Sequence, residues 1–168
     1  MARGVRIRAA LVHDAPAVAA CHIACWREAY ASIVAPDLLA QRTSDLAERT
    51  ERWRHIIETS PPRWLGVEDE ENVVGFAAAG AGRDDDLDID TELYAIYVRA
   101  SHYGTGLADR LIDSALGRTQ AYLWVFEGNP RARSFYARHG FVPDGARKLF
   151  CDAPEIRMLR TAKHDDGG

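Results

Sequence analysis

The chain has 168 residues, of which 47% are hydrophobic and 27% charged, a balance typical of a folded domain rather than of a disordered chain. Its net charge of −4 argues against the basic face of a nucleic-acid binder, and no apolar run approaches the roughly 18 residues of a membrane span. The alternating N-terminus builds no apolar signal region, so we expect a cytoplasmic protein with neither a nucleic-acid nor a membrane partner.

The three cysteines do not predict a disulfide framework. Cys21 and Cys25 are four residues apart, and Cβ atoms at that spacing on a helix lie about 5–6 Å apart. A disulfide needs a Cβ separation of about 3.8 Å. We therefore interpret Cys21 and Cys25 as small core residues and expect no metal site.

The first elements follow from hydrophobic periodicity. Val5 to Arg8 alternates as a half-buried strand does, and Asp14 is the predicted N-cap of a helix that runs to about Tyr30. The expected buried stripe of that helix contains Val18, His22, Cys25, Trp26 and Ala29.

A second helical region is predicted between Pro36 and the Pro61-Pro62 pair, with Ser44 as a plausible cap within it. Its expected buried stripe contains Leu46, Trp53, Ile56 and Ile57.

The rest of the chain alternates strands and helices. Strands are predicted over 64–68, 72–79, 92–98 and 121–126, helices over 107–116 and 129–140, and two last strands near 141–151 and 155–159. This order predicts a single α/β domain over residues 1–168 with a mixed (α+β) sheet, and a loose polar tail over 163–168.

The segment from Val98 to Asp109 reads as a strand, a turn containing Gly104 and Gly106, and the start of a helix. Such a turn presents backbone N–H groups at the positive end of a helix dipole, where an anion can bind. Glycine lets the backbone approach a phosphate because no Cβ intervenes. On this segment alone, an ordinary turn is an equally good interpretation.

A second block follows about twenty residues later and contains Asn129, Phe135-Tyr136 and Gly140-Phe141. Together the two blocks resemble the acetyl-CoA-binding core of the GCN5-related N-acetyltransferases, the GNAT superfamily. The resemblance implies a twisted mixed sheet flanked by helices, whose central strands, 92–98 and 122–126, splay apart around the pantetheine arm. Tyr103 departs from the family pattern, which usually has Gln or Arg at that position.

The resemblance also implies the coenzyme-binding residues, and it implies no metal. They are the backbone of Ile96, Tyr97 and Val98, the turn residues Tyr103, Gly104, Thr105, Gly106, Leu107 and Ala108, and the side chains of Asn129 and Tyr136. Asn129 is also a natural N-cap for the helix that Pro130 opens.

The chemistry of acetyl transfer requires two proton transfers. An ammonium group with a pKa near 10 must lose a proton before it attacks, and a departing thiolate with a pKa near 8.5 benefits from a proton donor. By resemblance, Glu92 is the candidate base and Tyr136 the candidate acid. Glu127 is the alternative base, and Tyr136 could instead be a core aromatic.

Trp26 and Tyr30 lie one helical turn apart, where the resemblance places the acceptor pocket beside Glu92. They are either a wall that packs on a bound amine or ordinary core. The aspartate-rich loop, Asp84 to Asp90, is either a solvated loop or an acidic mouth that attracts cations.

We therefore expect an N-acetyltransferase that transfers acetyl directly to a small, cationic amine such as a polyamine. The alternatives are acetylation of a protein or peptide N-terminus and a non-catalytic acyl-CoA sensor. The sequence leaves the oligomeric state open, a homodimer included.

Overall fold

The computed structural model describes residues 4–69 and 71–162. Its strands are β1 (Arg6–Ala9), β2 (Trp64–Val67), β3 (Val73–Ala81), β4 (Thr91–Val98), β5 (Ala121–Phe126), β6 (Val142–Phe150) and β7 (Ala153–Arg160). Its α-helices are α1 (Ala15–Tyr30), α2 (Pro36–Arg42), α3 (Leu46–Thr59), α4 (Leu107–Leu116) and α5 (Pro130–Arg138). The predicted tail over 163–168 lies outside the described residues.

The described strands form one mixed sheet in the order β1-β2-β3-β4-β5-β7-β6. β4 and β5 are parallel to each other, while the other neighbouring pairs are antiparallel. The parallel pair is joined at only two positions, Glu92 with Tyr122 and Leu93 with Leu123. Beyond these positions the strands diverge, as expected for the splayed centre of the sheet.

A bulge in β4 accompanies this divergence. Leu93 lies opposite Ala79 and Ala95 lies opposite Ala78, so Tyr94 is an extra residue with no partner on β3. A bulge bends its strand and increases the local twist. The edge of β4 that faces β5 is therefore left without a strand partner after Leu93, and its backbone polar groups are open to a ligand.

Helices cover both faces of the sheet and give each face its own core. On one face α1 and α3 pack through Val18, Cys25 and Trp53 against Phe76. On the other face α4 packs against β2, β3 and β4, and Ile112 of α4 and Tyr136 of α5 belong to a core cluster that includes residues of β5 and β7. The mixed α/β fold flanked by helices agrees with the sequence-based expectation.

The helical region after Pro36 differs in detail from the prediction. It is divided into α2 and α3, and Asp45 caps α3 by accepting a hydrogen bond from the Glu48 N–H at 2.9 Å. Ser44 is not the cap: its hydroxyl donates to the Gln41 carbonyl, because Ser44 stands one residue too early to reach the first turn of α3. Leu46 is 49% exposed rather than buried, since it begins the helix away from the core.

Asp14 occupies the N-cap position of α1, but its side chain does not cap the helix. The carboxylate instead accepts from the Leu11 N–H at 2.7 Å and pairs with Arg8 at 2.7 and 2.8 Å. In the part of the chain that the structure describes, no helix has the length and apolar character needed to cross a membrane. The Cys21 and Cys25 sulfurs lie 3.9 Å apart as free thiols.

Candidate functional site

A cavity of about 970 Å³ opens where β4 and β5 diverge. Its walls come from both strands, from α1 and from the starts of α4 and α5. It is lined by every residue that the sequence analysis assigned to the coenzyme except Thr105, whose hydroxyl donates to the His102 carbonyl at 2.6 Å. Trp26, Tyr30 and Glu92 line it as well.

The glycine turn before α4 has the geometry that only glycine adopts easily. Gly104 has φ +74° and Gly106 has φ +83°, in the left-handed region. A Cβ at either position would meet no protein atom within 4 Å, so both glycines border open space. Gly106 occupies the N-cap of α4 without a side-chain cap, which leaves the positive end of this helix available to an anion.

Tyr103, which replaces the usual Gln or Arg, has a cation stacked on its ring. The Arg131 guanidinium lies 3.3 Å from the ring centroid. Arg131 and Arg138 of α5 both line the cavity. Positive charge therefore reaches the turn from a different helix, although the turn itself has no basic residue at that position.

Asn129 caps α5, as one of the two interpretations predicted. Its Oδ1 accepts a hydrogen bond from the Ala132 N–H at 3.2 Å. Because Asn129 also lines the cavity, its side-chain amide N–H₂ is not committed to the cap and can contact a ligand.

Tyr136 lies between the core and the cavity. Its ring packs against Phe135 and Phe141, while its hydroxyl is neither sealed from solvent nor bonded to any residue that the structure describes. Burial raises the pKa of Tyr136 above its ordinary value. The phenol is therefore a neutral proton donor at physiological pH.

Glu92 is buried at the cavity wall and is held by one arginine. Nε and Nη2 of Arg83 lie 2.7 and 2.6 Å from Glu92 Oε2. The Glu92 side chain is 2% exposed, whereas that of Arg83 is 67% exposed. The pair thus places a carboxylate inside and a cation at the rim.

Glu127, the alternative base, does not line the cavity. Its carboxylate pairs with Arg147 on β6, and its carbonyl accepts a hydrogen bond from Arg133. Of the two candidates, Glu92 lines this cavity and Glu127 does not.

A second cavity carboxylate, Glu155 on β7, was not found by the sequence analysis. It pairs with Phe126 across the β5–β7 ladder and with Lys148 across the β6–β7 ladder, and it lines the cavity. Burial raises the pKa of Glu155. No motif marks this residue, because its position depends on β7 lying next to β5.

Aromatic residues of α1 line one side of the cavity, and they include Trp26 and Tyr30, the two candidates from the sequence. The ring centroids of Trp26 and Tyr30 lie 5.0 Å apart. The Trp26 ring packs on Phe150 and the Tyr30 ring packs on Phe126. The Tyr30 hydroxyl donates to Tyr97 at 3.0 Å.

Burial acts on the polar atoms of this wall. It raises the pKa of Tyr97 to about 12 and that of Tyr30 well above 10. The Trp26 N–H is buried in the same wall and makes no hydrogen bond to a described residue. The wall therefore carries an indole donor without an acceptor among the described residues.

The aspartate-rich loop does not form an acidic mouth to this cavity, which was one of its two interpretations from the sequence. None of its aspartates lines the cavity. Asp84 and Asp86 instead bind Arg157 at 2.8 and 2.6 Å, and Asp84 accepts a hydrogen bond from the Trp124 indole. Their charge is partly offset away from the cavity because Arg157 of β7, which also pairs with Asp144, comes to the loop in the folded chain.

Besides Arg83, Arg131 and Arg138, three further arginines line the cavity: Arg42 of α2, and Arg49 and Arg52 of α3. They define what we call the arginine cluster.

Comparison with known proteins places this site in a family. The family model described as the Acetyltransferase (GNAT) family matches residues 26–141. The chain is 31% identical over 155 residues to the probable N-acetyltransferase Rv2775 of Mycobacterium tuberculosis, covering 84% of this chain and 82% of that protein. It is 26% identical over 132 residues to the uncharacterised N-acetyltransferase YuaI of Bacillus subtilis, covering 75% and 74%.

Solved structures share the fold at lower sequence identity. The putative acetyltransferase yncA from Salmonella typhimurium, solved with acetyl-CoA, superposes with a TM-score of 0.69 at 18% identity over 98% of each chain. The paiA N-acetyltransferase from Thermoplasma acidophilum, solved with coenzyme A, gives 0.66 at 14% identity, covering 93% of this chain and 99% of that one.

Proposed function

Because this chain belongs to the acetyltransferase (GNAT) family, we propose that it transfers an acetyl group from acetyl-CoA directly to the amine of a small molecule. The observation that carries this proposal is the cleft between β4 and β5, which has carboxylates at one wall and a neutral phenol at another. Direct transfer needs a proton acceptor and a proton donor facing one cavity.

The cleft fits the coenzyme in three respects. Gly104 and Gly106 border open space in front of an uncapped helix N-terminus, which suits a pyrophosphate. Arg131, stacked on Tyr103, adds positive charge at this turn, and Arg138 lines the same cavity. The unpaired edge of β4 around Ile96 to Val98 offers backbone groups to the amide groups of the pantetheine arm.

Acetyl-CoA, when bound, supplies a thioester whose carbonyl carbon an amine can attack and whose sulfur leaves as a thiol. Glu92 is our candidate for the group that accepts the proton of the incoming ammonium. Glu155 is the second candidate, because burial raises its pKa and thereby makes its carboxylate a stronger base. Both carboxylates line the same cavity.

Tyr136 is our candidate for the proton donor to the departing sulfur. Its raised pKa keeps the phenol protonated, and its hydroxyl has no competing partner among the described residues. Donation by a positioned group typically contributes about 10²- to 10⁴-fold to a rate.

We expect the cationic amine of the acceptor to bind between the aromatic residues and the carboxylates of this cavity. Trp26 and Tyr30 offer aromatic faces for it, and Glu92 and Glu155 offer negative charge. The lining of this cleft suits a small-molecule acceptor. Acetylation of a protein N-terminus is the alternative, and the experiment below tests it.

The test is thiol release from acetyl-CoA in the presence of small amines, with a peptide that has a free N-terminus as a competitor. We expect release that depends on an amine and is strongly reduced in the Tyr136→Phe and Glu92→Gln variants. Acetyl-CoA binding without release for any amine would contradict the proposal and favour a sensor.

A further inference from the structure

The arginine cluster lies where α2 and α3 approach the hairpin of β6 and β7. The Arg42 guanidinium stacks on the Phe150 ring, 5.1 Å from its centroid. Arg49 donates through Nη2 to the Arg42 carbonyl at 2.5 Å, and its Nη1 lies 3.3 Å from Nδ1 of His22. All three arginines line the main cavity.

The charge of the cluster is poorly compensated. Among the described residues, neither Arg42 nor Arg49 forms an ion pair with a carboxylate. Arg52 pairs with Glu48 at 3.3 Å, but both side chains are largely exposed, so this pair contributes little. Burial, followed by the charge of Arg52, lowers the pKa of Arg49.

The neighbouring groups do not supply the missing negative charge. His22 stays neutral, because burial and the charges of Arg49 and Arg52 lower its pKa to about 3. The three arginines also line a smaller adjoining cavity of about 450 Å³ together with Asp45, Glu48 and Asp152, but none of these carboxylates lines the main cavity. The Asp45 carboxylate is engaged as the cap of α3.

We propose that Arg42, Arg49 and Arg52 bind an anionic group of the acetyl acceptor, so that the acceptor is a small molecule with both an amine and a carboxylate or phosphonate. This inference rests on the proposed acetyltransferase function and names its substrate class. An oxyanion accepts several charge-assisted hydrogen bonds from guanidinium groups, which relieves the crowding of like charges.

The spacing along the β6–β7 hairpin suits such a molecule. Phe150, under Arg42, is two residues from Lys148, which lies opposite Glu155. Two residues of a strand span about 7 Å. Glu155 and Arg42 therefore lie near neighbouring positions of one hairpin, which suits a molecule that carries its amine and its anion on a short linker, such as an amino acid or an aminoalkyl phosphonate.

The experiment compares kcat/KM for matched acceptors: α-amino acids, the aminoalkyl phosphonates with the same side chains, the uncharged amino acid amides, and linear diamines. We expect at least one anionic series to exceed its amides by about 10- to 100-fold, the range for losing charge-assisted hydrogen bonds. The Arg42→Gln variant should remove this advantage, so that the ratio of kcat/KM for the acid to kcat/KM for its amide falls toward one. The series that responds identifies the anion as a carboxylate or a phosphonate.

Arg54→Gln is the matched control, since Arg54 pairs with Glu51 on α3 and does not line the cavity. Arg49→Lys keeps a charge and should retain part of the preference, whereas Arg49→Gln should lose it. Equal rates for acids and amides, or equal losses on both in Arg42→Gln, would overturn this inference while leaving the acetyltransferase intact. Absence of thiol release with every amine would instead contradict the proposed function.

A second readout does not depend on turnover. An N-acetylated amino acid or inorganic phosphate, added to the CoA-bound protein, should raise Tm in the wild type and in Arg54→Gln but not in Arg42→Gln. If neither anion raises the wild-type Tm, the inference is wrong whatever the kinetics.

Discussion

Arg83, in the loop after β3, binds the buried carboxylate of Glu92 at the start of β4 through two nitrogens on the same oxygen. The arginine is mostly exposed, while the carboxylate is enclosed beside the cavity. The pair therefore keeps a charged group inside the site without burying both ions, which limits the desolvation cost.

Replacing Arg83 with Gln leaves this carboxylate buried without its cation. We expect a loss of about 1–3 kcal/mol in the free energy of unfolding, the cost of an unpartnered buried polar group. Denaturant unfolding measures this loss. The double variant Arg83→Gln, Glu92→Gln should recover most of it, and a double variant as unstable as Arg83→Gln would contradict the pairing.

Gly106→Val should lower acetyl-CoA affinity at least about 10-fold. A side chain at this position meets no protein atom within 4 Å. It therefore extends into the space that we assign to the pyrophosphate and competes with it. Gly145→Val is the control, because Gly145 has φ +92°, equally open surroundings and a place outside the cavity. Calorimetry with equal affinity losses in both variants would attribute the effect to backbone strain alone.

Tyr136→Phe should reduce kcat by about 10- to 1,000-fold with little change in coenzyme affinity, because it removes a proton donor and keeps the packed ring. Tyr122→Phe is the comparison: Tyr122 binds the Asp84 N–H away from the cavity. Its kcat should stay close to the wild-type value. A kcat for Tyr136→Phe within about twofold of wild type would leave Tyr136 as a packing residue.

The pH dependence of Glu155 separates the two candidate bases. Its pKa is raised by burial above 4.5, and Glu92, Arg83 and Lys148 are the charged groups that act on it. If Glu155 accepts the proton, kcat/KM rises with pH through this raised pKa, and Glu155→Gln removes that acidic limb. Retention of the limb in Glu155→Gln and its loss in Glu92→Gln would assign the base to Glu92.

Glu155 also has a stability signature. A raised carboxyl pKa means that the folded state binds the proton more tightly, so its contribution is present below pH 4.5 and is lost as pH rises through the folded pKa. Glu155→Gln should therefore raise Tm near pH 7 while lowering activity. Thermal unfolding across this pH range measures the change, and a lower Tm at pH 7 would contradict the burial argument.

His22 reports on the arginine cluster by NMR titration. Its pKa, lowered to about 3, should rise in Arg49→Gln because that variant removes a nearby positive charge. Since the unfolded His22 titrates near 6.5, its contribution to stability is present above pH 6.5 and is lost as pH falls toward 3. An unchanged His22 pKa in Arg49→Gln would argue against the charge crowding described for the cluster.

The local elements were predicted well because their signals lie within a few residues. The bounds of α4 and β5 agree with the prediction, and Asn129 caps α5 as its position before Pro130 indicated. The prediction of Ser44 as a cap was wrong because adjacent Asp45 is an equally good cap by sequence. The start of α3 in the folded chain selects Asp45.

The sequence by itself determined the family resemblance, the glycine turn and the aromatic stripe of α1, since each depends on spacing within one strand, turn or helix. Only the tertiary structure brought Glu155 to the cavity that Glu92 lines and placed Arg42 and Arg49 there, because these positions depend on the order β4-β5-β7 and on how α2 and α3 meet the β6–β7 hairpin. The same long-range packing brought Arg157 to Asp84 and Asp86. Net charge in a loop does not determine the charge of a pocket, because the partner that offsets it can lie some 70 residues away.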